Sequence, residues 1–253
     1  MAVTRHQKEE AMREFWDKKA LENAMYYVSS YRPYEEQDAE EFWRWGRTLG
    51  ERFLEESGIP FTGAETMLEI GSGIGRMTAY FAERFRSVHG MDVSPNMIKQ
   101  AHENLRDVDN VRLDVGNGYD LHIYGDGQFD FVFSYLTFQH IPDSRITANY
   151  IREAGRVLKE RGHFYFQVNN LPETLRSRLK LRTRLRRISR ALARREDAAR
   201  PRKASGPSDL DSPAWRGSRM SVPGVERACA EGGMRVVTTE GKGTQYLWIK
   251  AIK

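Results

Sequence analysis

Between residues 67 and 76 the chain reads Met67-Leu68-Glu69-Ile70-Gly71-Ser72-Gly73-Ile74-Gly75-Arg76, and this stretch constrains the fold more than any other. An apolar strand carries an acid two positions before a glycine loop, and a helical pattern follows. Glycine has no Cβ, so such a loop turns sharply and lets its backbone N–H groups approach a ligand. From here the chain alternates strand and helix patterns. Strands are predicted at 66–70, 87–91, 111–113, 129–134 and 162–168, and helices at 76–85, 95–104 and 144–158. This rhythm predicts an α/β fold, a parallel sheet with helices on both faces. In such sheets ligands bind beyond the carboxyl ends of the strands, where the strand order reverses.

The glycine spacing selects between two kinds of nucleoside ligand. A dinucleotide fingerprint, G-x-G-x-x-G, aims a helix N-terminus at a pyrophosphate; here the third glycine comes one residue early, and Glu69 would bring a negative charge to that pyrophosphate. S-adenosylmethionine has no phosphate and carries a positive sulfonium and an ammonium, so it suits an acid beside the loop. The plainer alternative is a glycine turn that only closes a packed strand and helix. The next strand ends in Gly90-Met91-Asp92-Val93-Ser94, with Asp92 twenty-one residues after Gly71, where a carboxylate accepts from ribose hydroxyls. Both nucleoside readings predict that acid. Ser94 is a competent N-cap for the helix that begins at Pro95.

At these residues the chain resembles the class I S-adenosylmethionine-dependent methyltransferases. The matching motifs are 69–75, 90–94, Gly116-Asn117-Gly118, the run 129–134 with its continuation 138–142, and 153–159 with the strand that follows. The likeness covers 64–170 and the terminal hairpin. It implies a Rossmann-like seven-stranded, mostly parallel sheet with one antiparallel strand. It also implies that Gly71 and Gly73 border the methionine part of the cofactor, Asp92 the ribose, and Asn117 with Gly118 the adenine edge. Asn117 stands where many relatives carry Asp, and its amide can still hydrogen-bond adenine. Glu69, Ser72, Val93, Met97 and Ser134 complete the cofactor-binding set expected from this resemblance.

Flanking segments extend this core. Residues 1–62 are predicted to form a helical cap, with Trp16, Tyr26, Tyr27, Phe42, Trp43 and Phe53 set among charges and a break at Tyr31-Arg32-Pro33. Trp16, Tyr26 and Tyr27 could wall an acceptor pocket, although aromatics in a cap are more often core. The core is expected at 63–170 and 215–253, the latter with a helix at 222–231 and strands at 234–239 and 245–252. Glu240-Gly241-Lys242-Gly243 joins those strands closely enough for an antiparallel hairpin. Residues 171–214 interrupt the rhythm as a basic insertion after the fifth strand. Thirteen Lys or Arg face three acids over 171–205, so this segment carries +10 of a chain whose net charge is only +5. Leu181, Leu185, Ile188 and Leu192 fall at helical spacing among arginines, the pattern of a basic amphipathic helix. A lid over the site is the plain reading. The sharper one is contact with an anionic membrane surface or an acidic substrate through 175–203. Nucleic acid is disfavoured, because no aromatic residues interleave the arginines to stack bases.

Methyl transfer from a sulfonium asks the protein mainly to align reactants and exclude water; a base is needed only where the acceptor holds its proton. His140, after the fourth strand, is the candidate catalytic base, with a purely structural histidine as the alternative. Position 134 begins Ser134-Tyr135-Leu136-Thr137 rather than the Asn-Pro-Pro-Tyr type motif of enzymes that methylate exocyclic amines of nucleobases, and Cys229 is the only cysteine, which speaks against a cysteine relay. With one cysteine, no disulfide and no cysteine metal cluster are expected; no metal is expected at the site. The leading expectation is O-methylation of a small molecule or a saccharide or lipid-linked acceptor. A nicotinamide-dependent oxidoreductase and a non-catalytic S-adenosylmethionine-binding module are the alternatives. The charged N-terminus and the absence of a long apolar run lead to an expectation of a cytoplasmic protein.

Overall fold

Residues 66–70 alternate in no way between polar and apolar, and the structure shows why: β1 (Thr66–Ile70) is buried along its whole length between two neighbours, as strands covered on both faces are. The computed structural model describes residues 4–29, 32–172 and 207–253. Two helices, α1 (Arg5–Ser29) and α2 (Ala39–Ser57), precede the sheet. The succession is then α3 (Thr78–Ala82), β2 (Ser87–Asp92), α4 (Pro95–Asn104), β3 (Val111–Val115), β4 (Phe129–Ser134), α5 (Ser144–Val157) and β5 (Leu158–Val168). After residue 206 come α6 (Pro213–Arg216), α7 (Val222–Glu231), β6 (Arg235–Glu240) and β7 (Leu247–Ile252). The basic amphipathic helix expected at 181–192 and the surface contact expected through 175–203 lie outside the described residues.

The seven strands form one sheet in the order β3-β2-β1-β4-β5-β7-β6. β1 to β5 are parallel, and β7 runs antiparallel to both β5 and β6, with His163 opposite Ile252 and Val168 opposite Leu247. The hairpin inserts its second strand into the sheet because of composition: Leu247, Ile249 and Ala251 of β7 are fully buried, whereas β6 is mostly exposed and serves as the edge. The strand order reverses between β1 and β4, which places the switch point at the glycine loop.

Helix ends follow local chemistry. Ser94 accepts from the Met97 N–H at 3.0 Å with Pro95 opening the helix, and Asp38 accepts from the Glu41 N–H at 2.9 Å. The helix predicted at 76–85 is shorter, Thr78–Ala82, because positive φ at Gly73 and Gly75 holds the preceding residues in turns. One face of the sheet packs against α5 and α7 through Leu68, Phe129, Val132, Phe164 and Phe166. The other packs against α2 and α3 through Met67, Phe131 and Phe133 with Phe53 and Phe81.

Helix α1 is bent at Asn23, whose backbone leaves the helical region (φ −168°). Its side chain accepts from the Tyr26 N–H beyond the bend and donates to the carbonyl of Tyr34, in the stretch between α1 and α2, at 2.8 Å. Lys19 on α1 is wholly buried, with its ammonium on Glu22 at 2.7 Å and on Ser208 and Asp209. Tyr27 and Tyr34 also donate to Glu22. Burial alone would raise the Glu22 carboxyl, but the Lys19 ammonium and these hydroxyls hold it down at about 2. This cluster fastens the cap to the last residues of the 171–214 insertion. No helix among the described residues is long and apolar enough to cross a membrane.

Candidate active site

A cavity of 330 Å³ opens beyond the carboxyl ends of β1, β2 and β4. Its floor is the glycine loop. Gly71 and Ser72 donate their N–H groups to the Met91 carbonyl at 2.7 and 3.1 Å, tying the loop to the end of β2. Gly71 has φ +81°, and a Cβ there would stand 1.9 Å from Thr137 Oγ1. Only glycine therefore lets the loop after β4 close over it. Thr137 and Ser134 both donate to the Ile70 carbonyl, at 3.1 and 3.0 Å, so the two loops are pinned to one atom.

Two acids face this floor. The buried Glu69 accepts from Thr78 Oγ1 at 2.6 Å, and burial pushes its carboxyl up to about 8. Asp92 accepts from the N–H groups of Gly73 at 3.0 Å and Ser94 at 2.9 Å, and burial raises its pKa as well. Two desolvated carboxyls beside one cavity make a site that gains from a cation. The pH dependence follows from linkage. Between the ordinary value near 4.5 and about 8, the folded protein keeps a proton that the unfolded chain has released, so stability is present at low pH and is lost as pH rises. Glu69→Gln is accordingly expected to melt closer to wild type at about pH 5 than at about pH 9, where it should be several degrees more stable. Thermal unfolding of the ligand-free proteins across that range checks this; a pH-independent difference would mean that Glu69 ionises normally.

The structure brings Glu69, Gly71, Ser72, Gly73, Asp92, Val93, Met97 and His140 together around the cavity. Three other expected residues stand outside its lining. Asn117 turns inward on its own loop, accepting from the N–H groups of Tyr119 and Asp120 and donating to Asp120 Oδ1. Gly118 lies under Met12 and Val93. Ser134 is fully buried on the Ile70 carbonyl.

Helix α1 and the stretch after the insertion form the other wall. Trp16 and Tyr27 of α1, two of the three aromatics offered above as possible pocket walls, line it. Met12 and Val28 of α1, Trp215 of α6, and Gln245 with Tyr246 from the turn before β7 line it too, and the sequence motifs did not point to them. Tyr26 stands behind, edge-on to Tyr27 and Tyr34. Gly217 permits the seat of α6, since a Cβ there would lie 1.7 Å from the Gln139 carbonyl. His140 packs on Trp215 at 4.9 Å and edge-on to Trp16 at 5.3 Å. Its Nδ1 bonds the Trp215 carbonyl, which requires a proton on Nδ1 and leaves Nε2, 3.3 Å from the Gln139 amide, as an acceptor. Burial pushes its pKa down to about 4, so it is neutral near pH 7 and a weak base. Arg76, Tyr135, Leu136, Thr137 and Gln139 complete the lining; Leu136 holds φ +58°, a conformation that non-glycine residues adopt rarely and mostly where function constrains them.

Residues 68–166 match the family described as "Methyltransferase domain". The match covers 99 of the chain's 253 residues. Over 86 residues the chain is 40% identical to phosphoethanolamine N-methyltransferase 2 of Caenorhabditis elegans, covering 33% of this chain and 20% of that protein. It superposes on phosphoethanolamine N-methyltransferase 1 of Haemonchus contortus with a TM-score of 0.59 and 16% identity, over 100% of this chain and 50% of that one. It also superposes on 1,6-didemethyltoxoflavin-N1-methyltransferase of Burkholderia thailandensis, with a TM-score of 0.59 and 16% identity, over 100% of this chain and 92% of that one. The chain thus spans a fifth of the length of the Caenorhabditis relative. The fold is that of the class I methyltransferases, whose cofactor is S-adenosylmethionine. Neither the nicotinamide-dependent nor the non-catalytic reading finds support among these relatives.

The residues present fit that cofactor. The matched segment offers Glu69 as a buried acid, Asp92 as a half-buried one, and Ser72 Oγ as a buried hydroxyl without a partner. The acids suit a sulfonium, an ammonium and ribose hydroxyls; a pyrophosphate would meet two carboxyls.

Proposed function

We propose that the protein is an S-adenosylmethionine-dependent methyltransferase acting on a small molecule, at a hydroxyl of a free acceptor or of a saccharide or lipid-linked one. The observation that carries this reading is the aromatic wall of Trp16, Tyr27 and Trp215 standing opposite the glycine loop across a cavity of 330 Å³, the scale of a small-ligand site. The loop after β4, Ser134-Tyr135-Leu136-Thr137, supports an acceptor other than a nucleobase amine.

The cofactor supplies a methyl group on a positively charged sulfur, so the chemistry is an in-line displacement. Glu69, Gly71, Ser72, Gly73, Asp92, Val93 and Met97 would hold the cofactor, with Asn117, Gly118 and Ser134 supporting them from behind. Trp16, Tyr27 and Trp215 exclude water from the acceptor side. His140 offers Nε2 to an acceptor hydroxyl and orients it, while the Trp215 carbonyl keeps the ring in one tautomer. A nitrogen acceptor is the second reading, and the lowered pKa of His140 favours it, because a neutral amine needs no strong base.

Incubation with methyl-labelled S-adenosylmethionine and separate panels of hydroxylated and amine acceptors tests both. Acceptor-dependent formation of S-adenosylhomocysteine is expected, and His140→Ala should lower turnover on a hydroxyl about a hundredfold while leaving cofactor affinity unchanged. Equal turnover would remove His140 from the chemistry; product from amines alone would replace the first reading by the second.

A further inference from the structure

Helix α1 is joined to the first turn of α4 by one carboxylate. Asp17, half-buried, accepts through Oδ1 from the Asn96 N–H at 2.8 Å and the Ser94 hydroxyl at 2.9 Å, and through Oδ2 from the Asn96 side-chain amide at 2.8 Å. An acid at that place satisfies an N–H that the helix leaves open and meets the positive end of its dipole. Ser94 is wholly buried, so its groups cannot turn to water: its hydroxyl goes to Asp17, and its N–H goes to Asp92 Oδ1 at 2.9 Å. One residue therefore joins the acid at the end of β2 to an acid of the cap. Trp16 is the neighbour of Asp17 on α1, roughly 100° around the helix, and it lines the cavity against His140 and Trp215. Beyond the bend, Val28 overlies the glycine loop, where a Cβ on Gly73 would stand 2.8 Å from Val28 Cγ2. The same helix thus borders the loop and carries part of the aromatic wall.

We propose that Asp17 is a positioning residue for the acceptor: through Ser94 it ties the seat of Trp16, and with it the aromatic wall, to the Asp92 carboxylate. A ligand that fixes Asp92 also fixes Ser94, and the hydroxyl of Ser94 then holds Asp17 and α1 in place. The cofactor accordingly completes the acceptor side, and the acceptor binds after it. Such coupling is reciprocal, so an α1 that docks poorly also weakens the cofactor. The inference rests on the cofactor reading of this cavity.

Amide hydrogen exchange of the full chain, with and without saturating S-adenosylhomocysteine, reads this coupling segment by segment. In wild type the ligand should slow exchange both at 87–97 and along α1 at 12–20. In Asp17→Ala it should slow exchange at 87–97 alone, and calorimetric affinity for S-adenosylhomocysteine should fall about fivefold. Asp17→Asn keeps an acceptor oxygen for Ser94 and Asn96 and should restore the protection of α1. Ser94→Gly cuts the same link from the other side, keeping a tolerated N-cap and the N–H to Asp92. It should lose the protection of α1 even where Asp17→Ala folds poorly. Gln100→Ala removes a different tie between the helices, the bond to the Ala20 carbonyl at 2.8 Å, and should leave the protection intact. Ligand-dependent protection of α1 that survives both Asp17→Ala and Ser94→Gly would overturn the proposal. Equal loss in Gln100→Ala would do the same, since any loosening of α1 would then suffice. Wild type that does not bind S-adenosylhomocysteine would sink the cofactor reading, and the proposal with it.

Discussion

Asp92→Ala is expected to weaken binding of S-adenosylhomocysteine by about a hundredfold or more. The carboxylate accepts from two backbone N–H groups, one on the glycine loop at Gly73 and one at Ser94 before α4, so it holds the cradle together as well as facing the ligand. A hydrogen bond to a charged group contributes roughly 1.5–3 kcal/mol, and each 1.4 kcal/mol is about tenfold in affinity. Losing the ribose contact and loosening the loop together account for two decades. Asp92→Asn keeps the shape and one acceptor oxygen, and should fall between. Calorimetric titration checks this, with NADH as a control ligand that no variant should bind. Unchanged affinity in Asp92→Ala would place the nucleoside elsewhere and undo the orientation given to the ligand.

Gly71→Ala should cost about 2–4 kcal/mol of stability, the sum of overpacking and of left-handed backbone strain at a residue with a side chain. In a protein of this size that lowers the melting temperature by on the order of 10 °C. The clash is with a single side chain, Thr137, whose Oγ1, Cγ2 and Cβ all lie within 2.7 Å of the added methyl. Thr137→Ala on its own removes one hydrogen bond to Ile70 and should cost about 1 kcal/mol. The double variant is expected to be more stable than Gly71→Ala, recovering the steric part and leaving the strain. If the two costs add, the loops are not in contact as described, and the seam between β1 and β4 is looser than the shared Ile70 carbonyl implies.

Much of the core was legible because it is local. Strand and helix periods repeat over short windows, and glycine at positions of positive φ, proline and serine at the start of α4, and an acid at the end of β2 each act within a few residues. The weak points were boundaries and faces. α3 came out shorter than its periodicity predicts, because the glycine turns use up its first residues. Asn117 carries the right chemistry at a plausible position, but a side chain amid backbone N–H groups can satisfy itself, and here it bonds Tyr119 and Asp120. Arg76 was in view beside the motif, but whether a charge near a loop is solvated or buried is a property of what covers it. Trp215 offered one clue, a large aromatic in a stretch otherwise rich in Ser, Pro and Gly.

From its sequence alone this protein was determined to be an alternating α/β chain with a glycine loop that prefers a cationic nucleoside ligand to a pyrophosphate, since backbone freedom and local charge set both. The tertiary structure alone decided what stands across from that loop. Trp16 and Trp215 are about two hundred residues apart in the chain and meet at 6.1 Å, Lys19 is buried against Asp209, and His140 loses its ordinary basicity beneath the aromatic wall. Each depends on burial and on contacts between distant segments, which no pattern of neighbours along the chain encodes.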